Sequence, residues 1–177
     1  MALTVKQLVN RHGAFVSAVT ALSVGAAMVV TRVLEWFVGF LSSASVGQPY
    51  GFAVVQVLLV AVPFAVGFFV SLWIIAPIAE ELRLPHVVTR AVLATGVAST
   101  VVFVVLAIAG ILGAIVLDEA PRFDGSLAVN AIVTALTGAA LTFVSALPLG
   151  VLAGVLLWIW RKDHPPRRPL SGLIDEV

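Results

Sequence analysis

The sequence predicts an all-α integral membrane protein, in which four transmembrane helices form a compact bundle and both termini are cytoplasmic. The chain of 177 residues is 61% hydrophobic and 11% charged, whereas soluble domains carry about 25% charged residues. Four apolar runs each reach the length of about 20 residues that a helix needs to cross a bilayer. Most of the lysine and arginine residues fall on one side of the membrane that these runs would cross. The chain is therefore expected to lie within the lipid bilayer.

The apolar runs are separated by short polar connectors that contain Gly and Pro, as loops do. The transmembrane domain is predicted at 14–160, after an interfacial lead-in at 1–13 and before a basic, Pro-rich tail at 161–177. The four predicted spans cover about 14–41, 52–78, 91–117 and 127–160.

The basic residues predict which way the helices run. Eight of the ten Lys and Arg residues fall on the side that holds both termini, and Arg32 and Arg122 fall near the other. Because cytoplasmic segments are enriched in Lys and Arg, the termini are expected in the cytoplasm and the protein in the cell membrane. The abundance of Arg, Ala and Val favours a bacterial inner or plasma membrane. The eight residues are Lys6, Arg11, Arg83, Arg90, Arg161, Lys162, Arg167 and Arg168.

The second and fourth spans share a stretch of sequence. "AVPFAVGFFVSLWI" at 61–74 aligns with "ALPLGVLAGVLLWI" at 146–159, with seven of 14 positions identical. Pro63 and Pro148 each precede a Trp by ten residues, a rise of about 15 Å, which predicts two kinks near the bilayer midplane. The kinks line a transport site or hinge in one interpretation. In the favoured one, they bend two helices independently.

Small residues recur every four positions along the fourth span. Such residues let helix backbones approach closely. We expect this stripe to pack inside the bundle; the alternative is a homo-oligomer interface. Its members are Asn130, Thr134, Gly138, Thr142, Ala146, Gly150 and Gly154.

One pair of ionisable residues interrupts the first apolar run. Arg32 and Glu35 are three positions apart and share a helix face, near the outer boundary, where side chains can reach water. A structural ion pair is favoured over a proton relay in transport. At the other boundary, the basic tail from Arg161 onward is expected to touch anionic lipid headgroups.

The sequence contains no pattern that indicates binding of a metal, a cofactor or nucleic acid. There are no cysteines, the net charge is +1, and the three His residues are scattered. Metal-ligand spacing, phosphate-binding loops and nucleophile elbows are missing from the sequence. We therefore expect no metal, cofactor or nucleic acid.

The stretch "APIAEELRLP" places Glu80 and Glu81 beside Arg83 in the second connector. It resembles the first motif of the CAAX-protease-like, bacteriocin-processing family of intramembrane proteins, in which a Glu pair precedes an Arg and later helices supply His. The resemblance implies peptide hydrolysis. Arg83 stands two positions after the pair instead of four, and no His lies four after a Phe. The connector is thus interpreted as a solvated turn and a candidate partner contact.

The expected function is that of a non-enzymatic accessory, scaffold or assembly-partner protein, bound to another membrane protein or to copies of itself. The alternative is a small oligomeric transporter or channel that uses the helices kinked at Pro63 and Pro148, with Glu35. An intramembrane hydrolase based on Glu80 and Glu81 is the remote alternative.

Overall fold

The computed structural model describes residues 14–42, 54–55, 57–78, 81–117 and 125–164. All regular structure within these ranges is helical, and four of the helices are long and apolar enough to cross a membrane. The prediction of four long apolar helices is confirmed. They are α1 (Ala14–Ser42), α2 (Val57–Ile75), α3 (Leu84–Leu117) and α4 (Gly125–Asp163). The lead-in at 1–13 and the tail beyond His164 lie outside the described residues.

α2 changes its helix type along its length. It begins as a π-helix at Val57–Ala61, continues as an α-helix at Val62–Val70 and ends as a π-helix at Ser71–Ile75. Pro63 follows directly after the first π-helical segment, so its missing backbone N–H falls where the hydrogen-bond pattern changes. The backbone N–H of Ala76 closes the last π turn on the carbonyl of Ser71 at 2.7 Å. α2 therefore accommodates Pro63 by changing hydrogen-bond pattern.

α2 lies between α1 and α3, and α3 and α4 share the most extensive interface among the described helices. The side chains of Phe64, Phe68 and Leu72 on α2 are fully buried, and so are those of Val87 and Val102 on α3. In a bilayer, where lipid is as apolar as these side chains, close packing rather than escape from water would hold the helices together. Small residues at the helix contacts matter for this reason.

The described helices run antiparallel to their neighbours along the chain. We call the end at which α1 begins, α2 ends, α3 begins and α4 ends the proximal end, and the opposite end the distal end. At the proximal end Gly154 of α4 faces Ala91 of α3, and toward the distal end Gly110 faces Ala131. The contacts between α3 and α4 therefore continue over most of their length.

α4 is the longest helix in the described part of the chain. It has 39 residues, whereas α1 has 29 and α3 has 34. Its uncharged part from Ala128 to Trp160, before Arg161, has 33 residues, or about 50 Å at 1.5 Å per residue. This part of α4 therefore exceeds a hydrocarbon layer of about 30 Å.

α1 separates from the other helices toward the distal end. Its last buried residue is Met28, and none of the described side chains from 29 to 38 is buried. Val30, Leu34 and Phe37 are each at least half exposed. This part of α1 therefore presents its apolar side chains to lipid or to another protein.

Candidate functional site

Two arginines hold the chain where α2 ends at the proximal end. Arg90 of α3 donates a hydrogen bond to the carbonyl of Pro77. Arg161 of α4 donates from Nη1 to the carbonyl of Ile78 at 2.6 Å, and the Ile78 side chain is fully buried. Helices α3 and α4 therefore both anchor the end of α2.

The anchor satisfies backbone groups that helix termination exposes. Ala76 leaves the helix with φ −132° and ψ 60°, so the carbonyls beyond it lose their helical partners. Buried carbonyls near lipid need a donor, and a guanidinium forms a stronger, charge-assisted bond than a neutral donor. Gly154 permits the approach, because a Cβ at this position would lie 2.7 Å from the Ala91 Cβ and 3.4 Å from Ile78.

The predicted partner-contact turn lies beside this anchor. Glu81 and Arg83 are both exposed, and Glu80 lies outside the described residues. The carbonyl of Arg83 accepts the backbone N–H groups of His86 and Val87, which begins α3. Within the described part of the chain, Glu81 and Arg83 form no ion pair with each other. A role for this turn in partner binding stays a prediction.

The two charged residues of α1 pair with each other. Arg32 Nη1 lies 2.8 Å from Glu35 Oε2, and the two side chains are 29% and 56% exposed. The pair occupies the part of α1 that extends beyond Met28. It therefore leaves a neutral, polar spot on an otherwise apolar helix surface. Its part in transport stays a prediction.

The two prolines occupy different environments. Pro63 is buried at a change of helix type, whereas Pro148 is exposed inside the continuous α4. The structure therefore does not bring them to a common buried surface. That Pro63 and Pro148 act as hinges stays a prediction.

The five residues predicted to pack a helix lie on the side of α4 that faces its neighbours. Gly138 faces Leu106, and Gly150 faces Thr95 and Phe68, so that a Cβ at Gly150 would overlap the Thr95 hydroxyl. Thr142 and Ala146 are buried. Asn130 and Thr134, at the distal end of the same stripe, are exposed. From Gly138 onward, then, the stripe is used for contacts within the chain.

Of the polar residues buried between the helices, sequence reasoning singled out Thr142, in the stripe on α4, and missed the others. Thr95 and Thr142 are buried and donate to the carbonyls of Ala91 and Gly138, one turn earlier. The hydroxyls of Ser71 and Ser99 and Nε1 of Trp158 are buried without a partner in the described structure. The positions of Ser and Thr inside the apolar runs were the signal by which the sequence could have identified them. The anchoring roles of Arg90 and Arg161 were also missed, although Pro77 marked a helix end that needs donors.

The described residues contain no group of three or more His, Asp or Glu side chains that could hold a metal ion. Their chemistry consists of the arginine anchor, the Arg32–Glu35 pair and the buried hydroxyls. Comparison of the chain with protein-family models, curated protein sequences and solved structures finds no match.

Proposed function

We propose that this chain is a non-enzymatic accessory or assembly-partner protein of the cell membrane, built as a compact four-helix bundle with both termini in the cytoplasm. The observation that carries the proposal is the excess length of α4. Its uncharged surface is longer than the hydrocarbon layer of one bilayer, and the excess could contact another membrane protein.

The mismatch follows from helix geometry. The uncharged part of α4 from Ala128 to Trp160 has 33 residues, or about 50 Å. To fit within about 30 Å it would tilt by about 53°, whereas membrane helices tilt by about 0–40°. The uncharged part of α3 from Ala91 to Gly113 has 23 residues and would fit with a tilt of about 30°. Tilt alone therefore accommodates α3 but not α4.

The excess surface would lie at the distal end. Leu112 on α3 and Val129, Val133 and Leu136 on α4 are each more than half exposed there. Large uncovered apolar patches outside a bilayer mark protein contacts. Asn130 and Thr134 on the same part of α4, and the Arg32–Glu35 pair on the distal part of α1, provide groups that can hydrogen-bond to a partner helix.

Basic residues support the orientation. Arg83, Arg90, Arg161 and Lys162 lie at the proximal end, beside Trp73, Trp158 and Trp160. Trp is enriched at membrane boundaries and basic residues on the cytoplasmic side. A reporter fused after Val177 should therefore read as cytoplasmic, and an external reading would overturn the orientation.

A photo-crosslinking amino acid tests for the partner. Placed at Leu136, which is 59% exposed at the distal end, it should capture a second membrane protein in stoichiometric yield by mass spectrometry. The matched control is Leu152, which is 56% exposed nearer the proximal end of the same helix and should capture lipid. Lipid adducts at both positions would sink the proposal. Adducts at Leu136 with copies of this chain alone would replace the accessory role with a homo-oligomer.

A further inference from the structure

A groove of about 550 Å³ lies between α1 and α4 at the proximal end. Its α1 wall includes Val16 and Val19, and its α4 wall includes Leu156 and Leu157, with Trp160 and Asp163 at the proximal end. The walls are mostly apolar. The groove lies apart from the arginine anchor, since Arg161 turns toward Ile78 instead.

A single carboxylate provides the charge in the lining. Thr20 and Ser23 also line the groove, but their hydroxyls donate to the carbonyls of Val16 and Val19 at 2.8 and 2.9 Å. The exposed Asp163 forms no hydrogen bond or ion pair with another described residue. The groove therefore combines an apolar interior with a carboxylate at its proximal mouth that pairs with none of the described residues.

The size of the groove suits an acyl chain or another small molecule. The lining extends along α4 from Ala153 to Asp163, a rise of about 15 Å. The groove volume of about 550 Å³ lies within the range of about 300–1,000 Å³ that ligand pockets measure.

We propose that the groove holds one phospholipid whose headgroup carries a primary ammonium, such as phosphatidylethanolamine. An acyl chain would lie between α1 and α4, and the ammonium would pair with the Asp163 carboxylate. Trp160 sets the depth, because Trp marks the boundary between hydrocarbon and headgroups. A headgroup with a phosphate and no ammonium would place negative charge against Asp163. The inference rests on a membrane location and not on the accessory role.

Competition between two lipids tests the proposal on the full chain. The protein is placed in nanodiscs that contain equal amounts of phosphatidylethanolamine and phosphatidylglycerol with the same acyl chains. Native mass spectrometry after release should find one retained phosphatidylethanolamine, preferred about threefold, since Asp163 is exposed and ion pairs of exposed groups are weak. Asp163→Asn should abolish the preference, and Asp163→Glu should keep it.

Glu81→Gln is the matched control, because Glu81 is an exposed carboxylate at the same end that does not line the groove. It should leave the preference unchanged, and a loss equal to that of Asp163→Asn would overturn the assignment to the groove. Equal retention of both lipids by the wild-type chain would also overturn it, without reliance on any variant.

A photo-crosslinking amino acid at Leu156 identifies the occupant directly. The adduct should be a phosphatidylethanolamine. An adduct with residues 1–13, with a second copy of the chain or with another protein would show that a polypeptide fills the groove, and the lipid proposal would fail. Because this probe lies in the proximal half, its result is independent of the partner sought at Leu136.

Discussion

α2 and α4 contain closely similar sequences and form different structures. The stretches 61–74 and 146–159 share seven of 14 residues, yet the first spans three helical segments and the second lies within one continuous α-helix. The matched prolines are buried in α2 and exposed in α4. Identical residues thus have different structural roles because the helix around them and its neighbours differ.

Glycine placement shows the origin of the difference. Gly67 brings α2 against α3, where a Cβ would lie 2.8 Å from the backbone Cα of Ala98. The matched position in α4 is Leu152, which is 56% exposed. α4 meets α3 at Gly150 and Gly154 instead. Each helix therefore presents to α3 the face on which its own glycines lie, irrespective of the shared residues.

The largest expected effect is that of Gly67→Val. The added carbons would collide with backbone at Ala98, which cannot move as a flexible side-chain tip does, so the free energy of unfolding should fall by about 3 kcal/mol. Thermal or denaturant unfolding in detergent micelles measures it. Gly113→Ala is the control, because a Cβ there meets nothing within 4 Å. Similar losses for both variants would refute the close approach of α2 to α3.

The second effect concerns how α4 holds the end of α2. Arg161→Met removes the donor to the Ile78 carbonyl and should lower the free energy of unfolding by about 2 kcal/mol, because a buried acceptor is left without its charged donor. Lys162→Met is the matched control. The Lys162 ammonium lies 5.4 Å from the centre of the Trp158 ring, and its loss should cost about 0.5 kcal/mol. Equal losses in the free energy of unfolding for the two variants would show that Arg161 does not anchor the end of α2.

Features that depend on neighbouring residues can be predicted from the sequence, whereas features that depend on contacts between distant parts of the chain cannot. The four helices follow from the lengths of the apolar runs, and the packing of Gly150 and Gly154 against α3 agrees with their spacing on one face. The contact between Arg161 and Ile78 joins residues 83 apart, and no local pattern indicates it. α3 starts at Leu84, before the apolar run at 91, and the buried Val87 lies in this additional part of the helix.

Gly150→Ala should have a smaller effect. The new methyl group would meet the Thr95 hydroxyl, which is fixed by its hydrogen bond to the Ala91 carbonyl at 2.9 Å. We expect a loss of about 1.5 kcal/mol, in the range for overpacked sites. The second substitution Thr95→Ala should restore part of it, since it removes the obstructing hydroxyl. A double-mutant cycle measures this coupling. An additive cycle would show that the two residues do not obstruct each other.

The smallest effects test the comparison of α2 with α4 most directly, because their expected signs differ. Pro63→Ala removes buried carbons at the change from π-helix to α-helix and should destabilise the protein by about 1 kcal/mol. Pro148→Ala restores a donor to the carbonyl of Val144 inside a continuous helix and should be neutral or stabilise by about 0.5 kcal/mol, because lipid can fill the exposed space. Unfolding of the two single variants and the double variant in the same detergent measures both. Independent prolines should give effects that add. Equal signs with a strongly non-additive double variant would instead indicate that the two helices bend together, as a paired hinge in a transporter requires.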